Sequence, residues 1–417
     1  MRPLTEPTSP AVTKVIFVNR YFYPDHSATS QLLSDLAFGL DAGGSYQIHV
    51  VTSRQRYDDP MAQLPAFEEV KGVHVHRVWT SRFGRRHLPG RALDYLSFYL
   101  TAFLKLLQLT DAGSVVVAKT DPPLVSVMAA MAVKLRSARL VNWIQDLFPE
   151  VAGALGVRLA GGPAFHLLRW LRNLSVRGAS KNVAIGQSMR DRIVAEGAPS
   201  GSVEIIHNWA DGRQICPIDT ADNALRKEWG LAGKFVIGYS GNLGRAHEHQ
   251  PILEAATRLQ NRSEIAFLII GGGINRDGFQ DEVQARALTN VIFKPYQARE
   301  RLAESLSVAD VHLISLRPTL EGLIVPSKFY GIAAAARPSI FIGSSNGEIA
   351  RLIRLHDCGT VMVEDQPATL ADQILWYCDH PAERQRQGTN ALTAFKEHYD
   401  KAIQIARFEQ CLRAASA

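Results

Sequence analysis

The chain has 417 residues, of which 46% are apolar and 21% charged, and its formal net charge is +6. This length and balance predict two globular domains and exclude a disordered or fibrous protein. The cysteines all lie in the second half and form no CxxC pair, so neither a disulfide framework nor a zinc site is indicated. A reducing cytoplasm fits best.

The positive charge is concentrated in the N-terminal half. Residues 1–212 carry the whole excess of +6, whereas residues 213–417 are formally neutral. A basic half indicates an anionic partner, for which nucleic acid and anionic lipid headgroups both qualify. Nothing else in the chain resembles a nucleic-acid module, so we expect no nucleic-acid partner. Residues 1–12 contain three prolines and no apolar core, which predicts a loose tail and not a signal peptide.

Short β-branched runs alternate with helical stretches along the chain. This pattern predicts an α/β protein with parallel sheets and crossover helices. Thirteen runs fall in two groups, at 14–19, 46–53, 73–79, 114–120, 138–146, 181–186 and 203–208, and then at 235–241, 266–272, 290–296, 311–316, 338–343 and 359–363. We therefore expect two doubly wound Rossmann-like domains, at 13–210 and 235–398, joined by a polar linker at 211–234.

One apolar segment, residues 95–109, breaks the alternation. It follows a group of arginines and is too short to cross a bilayer, which takes about 20 apolar residues. It can be a buried core helix or an element that lies in the membrane interface. In the second case Arg82, Arg85, Arg86 and Arg91 would bind headgroups while Tyr95, Phe98, Tyr99 and Phe103 reach the acyl boundary. The segment 164–181, which mixes Trp170 and leucines with basic residues, supports the interfacial interpretation.

Three segments of the second domain indicate chemistry. In YSGNLGRAHEH (239–249), Gly241 and Gly244 allow a ligand to approach the backbone and Arg245 adds a cation, which favours phosphate binding over a simple tight turn. In IIGGGINRDG (269–278), the spacing of the glycines is not that of a dinucleotide fingerprint. The next strand ends at Lys294 without an acidic residue, so a base or ribose cradle is expected there instead of NAD.

The third segment, 317–343, contains a loop followed by a helix start. Ser327 and Lys328 lie in its first turn, where a lysine near a helix N-terminus can bind a diphosphate, although a surface lysine is the simpler alternative. Glu321, beside Gly322, is suited to gripping sugar hydroxyls.

The order SGNLG, LIIGGG and EGLIVPSKFYGIAAAARPSI, preceded by YFYPDHSATSQLLSDLA and WIQDLFPEVAGALG, resembles glycosyltransferase family 4. The similarity is strongest to bacterial exopolysaccharide and O-antigen transferases of the colanic-acid type, and it covers roughly residues 14–400. It implies the GT-B fold, with two Rossmann-like domains facing across a cleft. It also implies that a C-terminal helix, placed at 399–417, crosses back to the first domain.

The resemblance implies a retaining transfer of a hexosyl group from a nucleotide-sugar donor, a UDP-sugar above all, to an acceptor held by the N-terminal domain. A lipid-linked saccharide at the inner face of the cell membrane, in cell-surface polysaccharide biosynthesis, is the expected acceptor. The site residues assigned in this way are Arg245, Lys328 and Glu321 for catalysis, Gly241, Asn242, Gly244, Gly271, Gly272, Lys294, Gly322 and Ser327 for the donor, and His26, Ser27 and Asp146 for the acceptor. For Asp146 and His26 a purely structural role is the alternative.

The chain departs from the family pattern at three places. The family often has a second glutamate eight positions after the first, where this chain has Phe329, and an alignment through Gly331 changes the spacing. Arg245 is followed by His247 and His249 in place of a lysine, and residues 27–29 replace a common glycine pair. No Asp-x-Asp occurs, so we expect neither a metal clamp on the diphosphate nor any other cofactor.

Other functions fit the same architecture. A sugar-nucleotide epimerase is one alternative, and a phosphorylase another, although the latter needs a pyridoxal-phosphate lysine and a much longer chain. The missing second glutamate also makes a degenerate, non-catalytic sugar-nucleotide-binding protein conceivable. Fold analogy alone does not choose among them.

Overall fold

The computed structural model describes residues 13–57, 59, 61–84, 88–157, 161–362 and 369–416. Its first sheet has eight strands in the order β3-β4-β2-β1-β5-β6-β7-β8. These strands are β1 (Thr13–Val18), β2 (Tyr46–Ser53), β3 (Phe67–Val70), β4 (Val73–Val78), β5 (Val115–Ala118), β6 (Arg139–Ile144), β7 (Lys181–Ala184) and β8 (Val203–Ile205). All neighbours are parallel except the hairpin of β3 and β4, which the sequence pattern did not predict.

The second sheet has six parallel strands in the order β11-β10-β9-β12-β13-β14. They are β9 (Phe235–Ser240), β10 (Ile265–Ile270), β11 (Val291–Lys294), β12 (Val311–Ser315), β13 (Ser339–Ile342) and β14 (Gly359–Met362). The strand β10 reads IAFLII and is buried throughout, because helices cover both faces of a parallel sheet. The prediction of two doubly wound parallel-sheet units is confirmed.

Fifteen α-helices are described. In the first half they are α1 (Ala28–Ala42), α2 (Leu88–Leu109), α3 (Val125–Arg136), α4 (Glu150–Ala154), α5 (Pro163–Gly178) and α6 (Gln187–Ala195). In the second half they are α7 (Ala224–Glu228), α8 (Gln250–Arg258), α9 (Arg276–Ala285), α10 (Leu302–Ser307), α11 (Lys328–Ala334), α12 (Glu348–His356), α13 (Leu370–Asp379), α14 (Pro381–Ala394) and α15 (Lys401–Ser416). The final helix, α15, packs against α1, β5 and β6 of the first unit.

The two units meet at the carboxyl ends of their strands. The backbone N–H of Leu147, after β6, donates to the carbonyl of Leu323, after β12, at 2.9 Å. The carboxylate of Glu348 at the start of α12 accepts the backbone N–H of Gln187 at the start of α6 at 2.7 Å. Ligands of open α/β sheets bind at these strand ends, so the ligand site is expected where the two rows of loops face each other.

The orientation of helix α2 differs from the interfacial interpretation, in which its aromatic side chains face the membrane. Phe98 is fully buried in a core cluster, and Tyr99 and Phe103 pack against the same cluster, so the prediction that these three reach the membrane is wrong. The run is apolar on nearly all sides, and its sequence therefore does not reveal which side faces the sheet. Tyr95 is partly exposed beneath Arg91. Arg82 is exposed, whereas Arg85 and Arg86 lie outside the described residues.

The outward side of α2 is nevertheless apolar. It forms a continuous surface with the neighbouring helices α3 and α5, because exposed side chains recur every three or four residues on each helix. We call this surface the apolar face, and its members are Leu93, Leu96, Leu100 and Leu104 on α2, Met131 and Leu135 on α3, and Leu167, Trp170 and Leu174 on α5. Among the described residues, no helix is both long and apolar enough to span a bilayer.

Paired substitutions on α2 test this orientation. We expect Phe98→Ala to lower the free energy of unfolding by about 3–5 kcal/mol, because it opens a cavity in the core. Leu100, two residues further, is 63% exposed, so Leu100→Ala is expected to change stability by no more than about 0.5 kcal/mol. Urea unfolding of the two variants measures both values. Equal destabilisation by Phe98→Ala and Leu100→Ala would contradict this orientation of α2.

Candidate active site

The two glycine turns of the second unit interlock. Gly241 and Gly271 both have positive φ, and a Cβ on Gly271 would lie 2.3 Å from the Gly241 carbonyl oxygen, so this close approach requires glycine. The N–H of Leu243 donates to the carbonyl of Gly272 at 2.7 Å, which ties the turns together. Asn242 is exposed beside them. The turns thus form a rigid backbone edge at the carboxyl ends of β9 and β10.

Lys328 points at this edge. The Nζ of Lys328 lies 3.6 Å from the centroid of the Tyr239 ring. A Cβ added to Gly241 would lie 3.8 Å from the same Nζ. This ammonium is buried and has no hydrogen-bond partner among the described residues. Burial lowers the pKa of Lys328 to about 7. An unpaired buried cation is costly, and an anionic ligand at the Gly241 turn would remove that cost.

The first turn carries two more basic residues, Arg245 and His247. Arg245 is exposed and has no ion-pair or hydrogen-bond partner in the described part of the chain. The Nδ1–H of His247 donates to the carbonyl of Ser315 at 2.6 Å. Burial, and to a lesser degree the charge of Lys328, lower the pKa of His247 to about 4, so its ring is neutral at pH 7. The positive charge available here therefore resides on Lys328 and Arg245.

Other predicted donor residues have different surroundings. The Nζ of Lys294 lies 5.3 Å over the ring of Trp229, so its charge is engaged there. Gly322 packs against α6 of the first unit, since a Cβ on it would lie 2.5 Å from the Arg192 side chain. Ser327 is exposed at the start of α11, which has only seven residues. The structure therefore brings Gly241, Gly271 and the Lys328 side chain together. The carbonyl of Lys294 also accepts the N–H of Gly271 at 3.0 Å, but the Lys294 side chain is directed to Trp229.

Glu321 has a structural task that the sequence did not indicate. Its Oε1 accepts two backbone N–H groups, that of Glu348 at 2.8 Å and that of the adjacent Gly322 at 3.2 Å. Its Oε2 lies against Gly347, where a Cβ would be 2.3 Å away. Burial raises the pKa of Glu321. The carboxylate thus caps α12 and fixes the loop before α11, instead of projecting freely toward a sugar.

Asp146 lies at the carboxyl end of β6, next to the Leu147 contact between the units. Its side chain is accessible to solvent, and protein atoms also lie close around it. These surroundings, and the nearby carboxylate of Asp121, raise the pKa of Asp146 to about 6, against the opposing charge of Lys119. A carboxyl group with a raised pKa at the carboxyl end of a strand suits the orientation or deprotonation of a hydroxyl.

The loop before α1 lies on the same side of the first sheet. His26 is exposed, and the N–H of Ser27 donates to Asp25 Oδ1 at 2.8 Å. Lys119, at the end of β5, donates to the carbonyl of Thr29 at 2.7 Å and lies 3.7 Å over the Trp143 ring. This lysine ties the start of α1 to the strand ends that carry Asp146.

Sequence reasoning missed several of these residues. Tyr239 contacts Lys328 and Lys119 contacts Thr29, in each case about 90 residues away in the chain. No local sequence pattern marks either residue. The only signal for Tyr239 is its position two residues before the glycine turn. Within the described ranges, no group of three or more His, Cys, Asp or Glu side chains is arranged to hold a metal ion.

Comparison with known proteins agrees with this geometry. The glycosyl transferase 4-like domain model matches residues 29–209, and the glycosyl transferases group 1 model matches residues 222–393. A Pseudomonas aeruginosa protein named as a glycosyltransferase, WbjE, is 28% identical over 80% of this chain and 82% of its own length. A protein of Escherichia coli K12, named as the colanic acid biosynthesis glycosyl transferase WcaI, is 30% identical over 56% of this chain and 58% of its own.

Among solved structures, Anabaena HepE in complex with UDP and glucose has a TM-score of 0.72 and 15% identity, covering 96% of this chain and 99% of HepE. At this identity the likeness concerns the fold, which is GT-B as expected from the sequence. Both family models that match the chain describe glycosyl transferases. The chain belongs to glycosyltransferase family 4, and it is a glycosyltransferase.

Proposed function

We propose that this glycosyltransferase moves a hexosyl group from a UDP-sugar to a lipid-linked saccharide in cell-surface polysaccharide biosynthesis, with retention of anomeric configuration and without a metal ion. The observation that carries the proposal is the unpaired, buried ammonium of Lys328 against the Gly241 turn. A diphosphate held there would meet Lys328 on one side and Arg245 on the other. UDP bound to HepE, and the colanic acid named for WcaI, favour this donor and this kind of acceptor.

In the proposed reaction the bond between the sugar C1 and the diphosphate oxygen breaks, and a bond from C1 to the acceptor oxygen forms on the same face. The leaving phosphate takes the acceptor's proton. Lys328 and Arg245 stabilise the charge that develops on the β-phosphate, which preorganised cations do efficiently in a site that excludes water. Asp146 and His26 orient the acceptor, and Glu321 keeps the loop before Lys328 in place.

The acceptor is assigned to a membrane surface on the strength of the apolar face. Apolar side chains exposed together on three neighbouring helices are typical of a surface that contacts a membrane or a partner protein. The apolar face belongs to the unit that carries Asp146, the acceptor candidate. We accordingly place the protein at the inner face of the cell membrane, as a peripheral protein.

Ligand-induced stabilisation at several pH values tests the donor site. UDP and UDP-sugars should raise the melting temperature, because a ligand at 100 times its Kd adds about 2.7 kcal/mol of stability. The UDP Kd should rise by about tenfold for each pH unit above 7, since Lys328, whose pKa is about 7, then loses its proton. The second ionisation of a phosphate, near pH 6, is complete over this range and does not contribute.

Lys328→Gln is the matched control, and it should bind UDP weakly and without this pH dependence. Slow transfer to water, followed by NMR of the released sugar's anomeric signal, distinguishes retention from inversion. If none of UDP, GDP and ADP or their sugars stabilises the wild type, the donor proposal is wrong. A UDP affinity that stays constant between pH 7 and 9 would remove Lys328 from the diphosphate site.

A further inference from the structure

A cavity of about 450 Å³ lies at the amino-terminal end of β9, the end opposite to the Gly241 turn. A six-residue strand is about 20 Å long, so the cavity is separate from the cleft between the units. Its volume falls within the range of pockets that hold small molecules. We call it the basic cavity, and the residues that matter for its chemistry are Arg226, Lys227, Lys234, Phe235, Asp310 and Arg384.

The charges of the basic cavity do not balance. Arg226 and Asp310 form a nearly buried ion pair at 3.0 Å, and Asp310 also accepts the N–H of Val236 at 2.8 Å. This pair neutralises the only carboxylate in the lining. Lys227, Lys234 and Arg384 remain, so the lining carries three more positive side chains than negative ones. Cations gathered in a concavity attract an anion more strongly than the same cations on an open surface.

The cations also keep unused hydrogen-bond donors. The guanidinium of Arg384 lies 5.0 Å over the Phe235 ring and donates through Nη1 to the Tyr377 carbonyl at 2.9 Å. These two contacts fix the plane of the Arg384 guanidinium, while most of its N–H groups stay available to bind a ligand. Lys234 donates to the Ser263 carbonyl at 2.8 Å, which uses one of its three hydrogens. Lys227 has no partner among the described residues.

We propose that the basic cavity is a second ligand site, which binds a small compound carrying a diphosphate group. A fixed guanidinium and two ammonium groups match the several oxygens and the charge of a diphosphate better than those of a single carboxylate. Phe235 and the small residues of the lining leave room for an attached ring. The cavity is independent of the proposed transfer reaction, because none of its residues lies in the cleft.

Calorimetric titration of the full chain with inorganic pyrophosphate tests the proposal. The wild type should show two binding events, one in the cleft and one in the basic cavity. The double variant Lys227→Ala/Arg384→Ala should lose the second event, with affinity lowered at least about tenfold because two charge-assisted contacts are removed. The cleft variant Arg245→Ala/Lys328→Ala should keep it. Lys227→Glu, a change at an exposed residue that leaves folding intact, should weaken it as well.

The matched control removes two exposed cations elsewhere in the same unit, Arg286→Ala/Lys396→Ala, and should bind pyrophosphate as the wild type does. Identical affinity in the cavity variants and this control would overturn the proposal. So would loss of all pyrophosphate binding in the cleft variant, or a wild type that binds at the cleft alone. Titration of the cleft variant with UDP shows whether the diphosphate ligand of the basic cavity is a nucleotide or free pyrophosphate. Tighter binding of UDP than of pyrophosphate indicates a nucleotide, and weaker binding indicates the free anion.

Discussion

Replacing either Lys328 or Arg245 with alanine is expected to lower turnover about 150-fold while the protein stays folded. The removal of one preorganised charge that stabilises a transition state costs about 3 kcal/mol. Lys328 should show the larger loss, because its ammonium is buried next to the Gly241 turn, whereas Arg245 is exposed and partly screened by water. Initial rates with the UDP-sugar that stabilises the wild type most provide the measurement.

Lys294→Ala is the matched control for this pair. It removes a lysine from the carboxyl end of a neighbouring strand, but its charge lies over Trp229 and should not reach the diphosphate. We expect near-wild-type rates for it, and unchanged rates for the wild type in EDTA. Wild-type turnover in both the Lys328 and Arg245 variants would remove these residues from the leaving-group site. A strict requirement for a divalent ion would contradict the metal-free mechanism.

The sequence was sufficient to predict the parallel strands and the glycine turns. β-branched runs and turn glycines are local signals, and the contacts they form follow from the strand order of the sheet. Gly241 and Gly271 both have positive φ, and their two turns pack closely against each other. Both features are possible because these residues are glycines, as the sequence led us to expect. By contrast, β3 has the sequence FEEV with two charged residues, and without its hairpin partner nothing identifies it as a strand.

The chemistry of individual side chains was harder to predict, since it depends on partners far away in the chain. Glu321 has a suitable position in its motif, yet its carboxylate caps α12 because the loop folds back onto Gly347 and Glu348. The lowered pKa of Lys328 follows from burial against Tyr239, which lies 89 residues earlier and has no motif of its own. Such contacts are properties of the tertiary structure.

The basic residues of α5 illustrate the same limit. From the sequence they support binding to anionic headgroups, but Arg172 is buried and pairs with Glu150 at 2.7 Å, and Arg169 pairs with Glu196. Their charges are therefore largely used within the protein. The large side chains that this helix exposes are mainly apolar, namely Leu167, Trp170 and Leu174, although His166 and Arg177 are exposed as well. Membrane association, if it depends on this surface, should be driven more by burial of apolar side chains than by charge.

The double variant Leu96→Ser/Leu100→Ser is accordingly expected to lower binding to liposomes by about 30-fold or more. These side chains are 60% and 63% exposed on the apolar face, and insertion of a leucine side chain is worth about 1.5–3 kcal/mol. Because both leucines face away from the core, the variant should unfold at the wild-type temperature and bind UDP normally. Co-sedimentation with neutral and anionic vesicles, at low and high salt, measures the partition coefficient.

Two other double variants separate the apolar from the electrostatic contribution. Met61→Ser/Leu355→Ser removes two apolar side chains that are 71% and 64% exposed outside the apolar face, and it should bind vesicles as the wild type does. Arg82→Ser/Arg91→Ser should weaken binding only on anionic vesicles at low salt, by about 30-fold, since each cation near such a surface contributes about 1 kcal/mol. Equal sedimentation of the leucine variant and the Met61/Leu355 control would contradict docking through the apolar face. A wild type that binds no vesicle would instead favour an acceptor in solution, reached through the same cleft without a membrane.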